Sequence, residues 1–287
     1  LGTPIERGAA HDRAVAALGA AVVLQPGQDP ADVLGGGDGP VEVTGEVDGY
    51  RLGRAYVIRR DGIVYLIEVD GGQTADDAVR EIEEDIEPDI ERLEGEATQV
   101  DVDGTIRQIW SLQGERPDLP GAAADAGGGK IRVWTNEADG VPIGADGRPE
   151  EGLDHWTLFH EWGHVFDDGD RADSLPYELA VLVDAAHRRD AVPEFDQLET
   201  VTANGDRWDN LSDTGIGVTQ YGDDPSDDPG AQGAPAGNNT EDLADALALW
   251  TLQKQQGFIA VDPTTGRRYT YAELFPARAA YFTRTFG

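Results

Sequence analysis

Residues 153 to 166 of the chain read Leu-Asp-His-Trp-Thr-Leu-Phe-His-Glu-Trp-Gly-His-Val-Phe. His160 and His164 are four residues apart, so on a helix they leave one face about one turn from each other. That is the separation two imidazoles need to share one tetrahedral ion. Glu161 lies between them. On the same helix its carboxylate is placed to take a proton from a metal-polarised water and later deliver it to a leaving amine. Leu158, Phe159, Trp162, Val165 and Phe166 supply the apolar surface that would bury such a helix, so the histidines have a hydrophobic setting. The chemistry implied is hydrolysis at a bound zinc ion.

Composition narrows the search for further ligands. The 287 residues include five histidines, no cysteine and no methionine. Without cysteine there are no disulfides, thiolate sites, cysteine nucleophiles or iron–sulfur clusters, so a metal must be held by His, Asp or Glu. Asp and Glu number 56 against 22 Lys and Arg, for a net charge of −34. Nucleic-acid binding needs clustered cations and is excluded as an expectation. The same charge speaks against an anionic membrane surface. The longest apolar runs, such as Ala14 to Leu24, fall far short of the roughly 20 residues of a bilayer span, so no membrane insertion is expected. A hydrophobic share of 39% is enough for a core at this length, in one large or two modest domains. Only Lys130 and Lys254 are lysines. The acidity reads as a hydrated, solubilising surface of GC-rich or high-salt origin. The chain opens on Leu1 and lacks Met, so a native start upstream and a secreted protein, its signal peptide absent here, are expected.

Two acids compete for the third ligand position. Asp170 follows His164 by six residues, a spacing that resembles the extended metzincin motif with Asp in its last place. Metzincins, however, put Gly three residues after the second His, where this chain has Asp167, and support the site on a methionine turn. Glu241 lies in Asn239-Thr-Glu-Asp-Leu-Ala-Asp-Ala-Leu-Ala-Leu-Trp250. Asn239 or Thr240 is a natural N-cap, Leu243, Leu247 and Trp250 form an apolar stripe, and Gly257 ends the helix. Glu241 and Asp245 then share one face. A ligand Glu with an acid four residues on resembles the second helix of gluzincins, where the later carboxylate orients the far N–H of a ligand histidine. A chain this acidic also contains Glu-x-x-x-Asp by chance, so the weight rests on context: a second helix must bring a carboxylate to the metal.

Four runs together carry a family resemblance: Thr157 to Asp168, Val218-Thr-Gln-Tyr-Gly222, Glu241-Asp-Leu-Ala-Asp-Ala246 and Phe275-Pro-Ala-Arg-Ala-Ala-Tyr-Phe282. Over about residues 98–287 the chain resembles the anthrax lethal factor type of zinc metallopeptidase domain. The resemblance implies a zincin-like fold with one catalytic Zn2+ on His160, His164 and Glu241. It further implies Glu161 as general base, Asp245 behind a ligand imidazole, and Tyr221 as donor to the transition-state oxyanion. Substrate would lie extended along an edge strand before the active helix, for which Lys130, Ile131, Arg132, Val133 and Trp134 are the candidate. The interval from Tyr221 to Glu241 is long for the family, filled by Asp223 to Gly230 and a further Pro/Gly/Asn stretch.

The function so implied is a zinc-dependent endopeptidase, toxin-like, acting on a protein or peptide. The negative field suits a basic substrate. Other readings are a metzincin-like zinc protease with Asp170 as third ligand, and a zincin-fold interaction protein that binds zinc without turnover. The complete set of His160, Glu161, His164 and Glu241 argues against the second of these. Asp167, Asp168, Asp170 and the Asp223 to Asp228 run suggest Ca2+, but without EF-hand spacing calcium is at most an accessory.

These residues need elements to hold them. Residues 1–97 read as an α+β module with a helix from about His11 to Val23, a turn-rich lead-in from Gln25 to Pro40, and a meander. The β-prone runs Val41 to Thr44, Arg54 to Arg59 and Ile63 to Val69 are joined at Asp48-Gly49 and Asp61-Gly62. Thr74 caps an acidic helix running to about Leu93, with Ile82, Ile86, Ile90 and Leu93 at helical spacing and a kink at Pro88. This module carries no recognisable chemistry. From residue 98 follow a strand at Thr105 to Trp110, a Gly-rich loop from Gly121 to Gly129 that fits neither a dinucleotide nor a P-loop pattern, and a strand at Lys130 to Trp134. After a loop from Gly140 to Glu151 comes the histidine helix. The expected class is α+β: a small module, then a zincin-like catalytic domain at 98–287.

Overall fold

The computed structural model describes residues 21–114, 124–135, 155–167, 175–191, 198–200, 218 and 239–287. Strand β1 (Val22–Leu24) is followed by β2 (Val41–Val47), β3 (Tyr50–Arg60) and β4 (Ile63–Val69). The joints of the meander are the two Asp-Gly pairs. Asp48 and Gly49 have φ of 47° and 79°, and Asp61 and Gly62 have 48° and 90°. Two consecutive positive φ values make the tight turn whose twist matches that of paired strands, and Gly adopts them without steric cost.

β1 was expected to be the end of a helix. The β-branched pair Val22-Val23 instead lies parallel to β2, with Val22 beside Val43, because an open sheet edge offers hydrogen bonds that a helix end does not. Residues before 21 lie outside the described residues. The lead-in is also more ordered than a linker: Asp29 accepts from the Ala31 N–H, and Pro30–Leu34 forms a 3-10 turn whose Leu34 is buried.

The sheet continues through β5 (Gln108–Gln113), β6 (Ala124–Gly127) and β7 (Lys130–Thr135), in the order β1-β2-β3-β4-β5-β7-β6. The strand expected at Thr105 to Trp110 thus begins three residues later. Val43, Val47, Leu52, Val57, Val64, Leu66, Trp110, Leu112 and Trp134 pack with Leu34 into one cluster. β4 is buried along its whole length, so Ile63, Tyr65, Ile67 and Val69, which alternate with that set, face the other side. Helix α1 (Ala75–Glu81) packs against β3 and β4. The Asp77 carboxylate reaches back to the Thr74 N–H at 2.7 Å, which fixes the start expected there. Before Pro88 the helix widens into a π turn over Ile82–Ile86 and then resumes as α2 (Glu87–Glu96). The expected kink takes this form because proline's ring and missing N–H cannot fit an α turn at the carbonyl four residues back.

Lys130 to Trp134 was expected at a sheet edge and is not there. β7 lies between β5 and β6, so among the described residues β6 is the edge strand. Part of the run read as a loop made the difference. Gly128 and Gly129, at φ 61° and 77°, form a tight turn, and Arg132 grips the Asp125 carboxylate with two bonds of 2.6 Å.

The chain divides into two units. One holds the residues up to Pro88, Ile106–Asp125 and those from Arg132, the other Asp89–Thr105, Ala126–Ile131 and the residues from 155 onward. The second includes α3 (Val102–Thr105), α4 (His155–Asp167), α5 (Leu175–Ala191), α6 (Asn239–Gln256), α7 (Tyr271–Leu274) and α8 (Pro276–Phe286). A small antiparallel sheet joins β8 (Glu199–Thr200), β9 (Ala260–Val261) and β10 (Arg268–Tyr269). Phe286 is a hub of this unit, its ring 5.5 Å from Trp162, 4.7 Å from Phe166 and 5.7 Å from Trp250. Among the described residues no helix is long and apolar enough to cross a membrane.

Gly45 sits at an irregularity in the β2–β3 pairing, with φ 119°, opposite Leu24 of β1. A side chain there would strike the Leu24 backbone. Gly45→Ala is expected to dislodge β1 and cost about 1–3 kcal/mol. A thermal melt checks this, with the midpoint falling roughly 2–4 °C per kcal/mol.

Candidate metal centre

Helix α4 carries the pattern seen in the sequence. Leu158, Phe159, Trp162, Val165 and Phe166 are all buried, which leaves His160 and His164, offset by about 40° around the helix, on the side that meets α6. The two helices pack directly against each other. Gly163 explains how closely. A methyl group at that position would lie 2.6 Å from Cα of Ala244, well inside contact distance. A glycine on one helix against an alanine on the other therefore sets the approach.

The donors converge at this crossing. Glu241 Oε2 stands 3.2 Å from Nε2 of His160 and 3.2 Å from Nε2 of His164, and the two Nε2 atoms are 3.0 Å apart. Behind His160, Asp245 Oδ1 lies 2.8 Å from Nδ1. A carboxylate only accepts, so Nδ1 must carry the proton, and in the neutral imidazole Nε2 then presents a lone pair. Glu241 Oε2 is buried with no hydrogen-bond donor in this arrangement. Lone pairs of His160 Nε2 and Glu241 Oε2 thus face one small space, with His164 Nε2 beside them. One proton could bridge a single pair of these atoms, whereas a cation satisfies all three.

The spacing fits a cation of definite size. Ligands of a tetrahedral zinc-sized ion, at bond lengths near 2.0–2.1 Å, are separated by about 3.3 Å. His160, His164 and Glu241 form a partly buried group that could hold a metal ion. The local field points the same way. Burial opposes protonation of His160, but its bonds to Asp245 and Glu241 and the charge of Glu161 raise its pKa well above the ordinary imidazole value. Burial pushes the Glu241 carboxyl up, yet the two imidazoles facing it, which stabilise its charge whenever they carry a proton there, hold it well below the usual carboxylate range. Surroundings that favour positive charge on these atoms favour a dication still more.

Glu161 is buried beside His160, and Asp245 is fully buried. The structure thus brings together His160, Glu161, His164, Glu241 and Asp245. Tyr221, Asp170, Asp168 and the Asp223 to Asp228 run lie outside the described residues. Lys130 to Trp134 lies in β7, between β5 and β6, so a peptide pairing with the outer strand of this sheet among the described residues would meet β6.

Several residues of the centre escaped the sequence reading. Gly163 stood inside the motif without a role, although a glycine in mid-helix costs about 1 kcal/mol against alanine and so signals close packing. Asp242, next to Glu241, is buried and accepts from Tyr177, Arg278 and the Val218 N–H. Trp162 Nε1 donates to Thr105 Oγ1 at 3.1 Å, which ties α4 to α3. For Arg278 a signal existed: it is the one charge in Phe275-Pro-Ala-Arg-Ala-Ala-Tyr-Phe282.

Gly163→Ala is expected to force α4 and α6 apart, with an overpacking cost of about 1–3 kcal/mol. Metal affinity should fall about 10–100-fold, because Glu241 can no longer meet both imidazoles. Competition against a chelator measures the effect, and wild-type affinity would contradict the role given to this glycine.

No protein-family model matches this chain, and no curated protein or solved structure matches it.

Proposed function

We propose that the chain is a zinc-dependent peptide hydrolase whose catalytic portion, about residues 98–287, is zincin-like. One observation carries this reading: two histidines one turn apart on α4 and a glutamate on α6 converge on a point at 3.0–3.2 Å separations, with Glu161 buried beside them. His160, His164 and Glu241 are the ligands. Two imidazoles and one carboxylate suit zinc, and three protein ligands leave a coordination position for water or substrate. Zinc bound there supplies a Lewis acid that polarises a carbonyl and makes water nucleophilic near neutral pH.

The remaining work belongs to the chain. Glu161 accepts the proton released as water attacks the peptide carbonyl and passes it to the leaving amine. Asp245 keeps His160 in the tautomer that offers Nε2, and holds its ring in place. Tyr221 is assigned the donor to the oxyanion. A net charge of −34 favours a cationic peptide as substrate and disfavours a nucleic acid.

The test begins with metal content. The purified protein is expected to hold one zinc per chain and to cleave peptides. Glu161→Gln should keep the zinc and lose at least about a hundredfold in kcat; unchanged cleavage would remove Glu161 from the mechanism. Tyr221→Phe should lose about 10²–10³-fold in kcat with zinc retained. The third ligand is decided by a pair of variants. Glu241→Gln should release zinc and Asp170→Asn should not, and the reverse result would transfer the role to Asp170.

A further inference from the structure

We infer that Asp242, gripped by Arg278 and Tyr177, is a positioning residue for the metal centre: it fixes the first turn of α6 so that Glu241 meets both imidazoles. The inference rests on the zinc-site reading above. Successive helical residues point about 100° apart, and residues four apart return to within about 40°. Glu241 and Asp245 therefore share the face that meets α4. Asp242 leaves the same turn toward α5 and α8.

Its carboxylate is met from three segments. The Tyr177 hydroxyl of α5 donates to Oδ2 at 2.7 Å, Nη2 of Arg278 on α8 donates to the same oxygen at 2.8 Å, and the Val218 N–H donates to Oδ1 at 2.7 Å. Tyr177 and Arg278 are fully buried and Asp242 nearly so. Arg278 is held in its turn. Asp184 of α5 accepts the Ala277 and Arg278 N–H groups at 2.8 and 3.0 Å and lies 3.7 Å from Nη1. The rings of Phe275 and Tyr177 flank the guanidinium at 5.6 and 6.0 Å.

Stability alone does not account for such a group. Replacing a buried ion pair by apolar residues of equal volume is often neutral or stabilising, and the best-attested use of a buried pair is to fix register. Apolar contact lets a helix slide or rotate slightly at low cost. Three charge-assisted or short bonds converging on one carboxylate do not, since each is directional. Rotation of this turn would carry Glu241 Oε2 away from a point that must lie 3.2 Å from two nitrogens at once.

The experiment measures zinc and cobalt affinity of the full chain by chelator competition, at a temperature where near-UV circular dichroism shows each variant folded. Asp242→Asn keeps the size and removes the charge. It is expected to lose about 10–100-fold in zinc affinity and to alter the visible spectrum of the Co2+ form, as loss of an outer support does at other metal sites. Tyr177→Phe removes a single hydroxyl and should shift both readouts in the same direction by less. Leu274→Ala, a buried substitution in α7 outside the network, should lower the melting temperature and leave affinity and spectrum unchanged. The inference is overturned if Asp242→Asn binds both metals as the wild type does, with Tyr177→Phe deciding if Asp242→Asn does not fold. It is also overturned if Leu274→Ala loses as much affinity, because affinity would then merely follow stability. A wild-type chain that takes up neither metal overturns the zinc reading itself, an outcome read on a different sample.

Discussion

The candidate metal centre depends on one steric fact, the close approach of α4 and α6 at Gly163 and Ala244. Helix pairs commonly lie 8–10 Å apart, according to the side chains at the contact. Here one partner has no side chain and the other a single methyl, and even one carbon added at 163 would lie 2.6 Å from Ala244 Cα. The donors are arranged around this point. His160 and His164 flank Gly163 on one helix, and Glu241 and Asp245 flank Ala244 on the other. A carboxylate spans only a few ångströms from its helix, so the separation of the two axes decides whether Glu241 can stand 3.2 Å from both imidazoles.

The same crossing concentrates negative charge away from water. Glu161, Asp184, Asp242 and Asp245 are buried in this unit, and so is the guanidinium of Arg278. Buried carboxylates are costly unless paired or hydrogen-bonded. Asp242 and Asp184 meet that condition through Arg278, Tyr177 and backbone N–H groups. Around His160 the balance is struck differently: the imidazole is surrounded by Asp245, Glu241 and Glu161, and its raised basicity registers their field. A dication would answer that field by accepting the facing lone pairs together, which a single proton cannot do. The acid excess of the chain, read from composition as a solvated skin, thus has a second component inside the fold.

What could be read from sequence was what repeats with a short period. The histidines, Glu161 and the buried face of α4 follow the 3.6-residue repeat. The Asp-Gly turns follow from local backbone preference, and Thr74 and Gly257 mark helix ends for the same reason. What stayed hidden was decided between distant segments. β1 became a strand because β2 offered it an edge, β6 displaced Lys130 to Trp134 from the edge of the sheet, and Asp242 acquired its partners from α5 and α8. None of these leaves a periodic trace. The glycine of the motif and Arg278, the one charge in the run from Phe275 to Phe282, did leave traces, as residues poorly suited to a helix interior or an apolar run.

Three acids within five residues of α6 then show why counting acids could not assign them. Glu241 has one more methylene than its neighbours and must reach two nitrogens on another helix. Asp245, one turn on and shorter, needs only the near side of His160 and reaches Nδ1 at 2.8 Å. Asp242 points elsewhere and is enclosed by donors. Exchanging Glu and Asp along this turn would leave the composition, the charge and the helical pattern as they are. It would still misplace the carboxylate that faces both imidazoles by about the length of a carbon–carbon bond, around 1.5 Å. At a site whose donors stand 3.0–3.2 Å apart, that displacement is half the separation. The geometry of the centre is therefore written in which acid occupies which position.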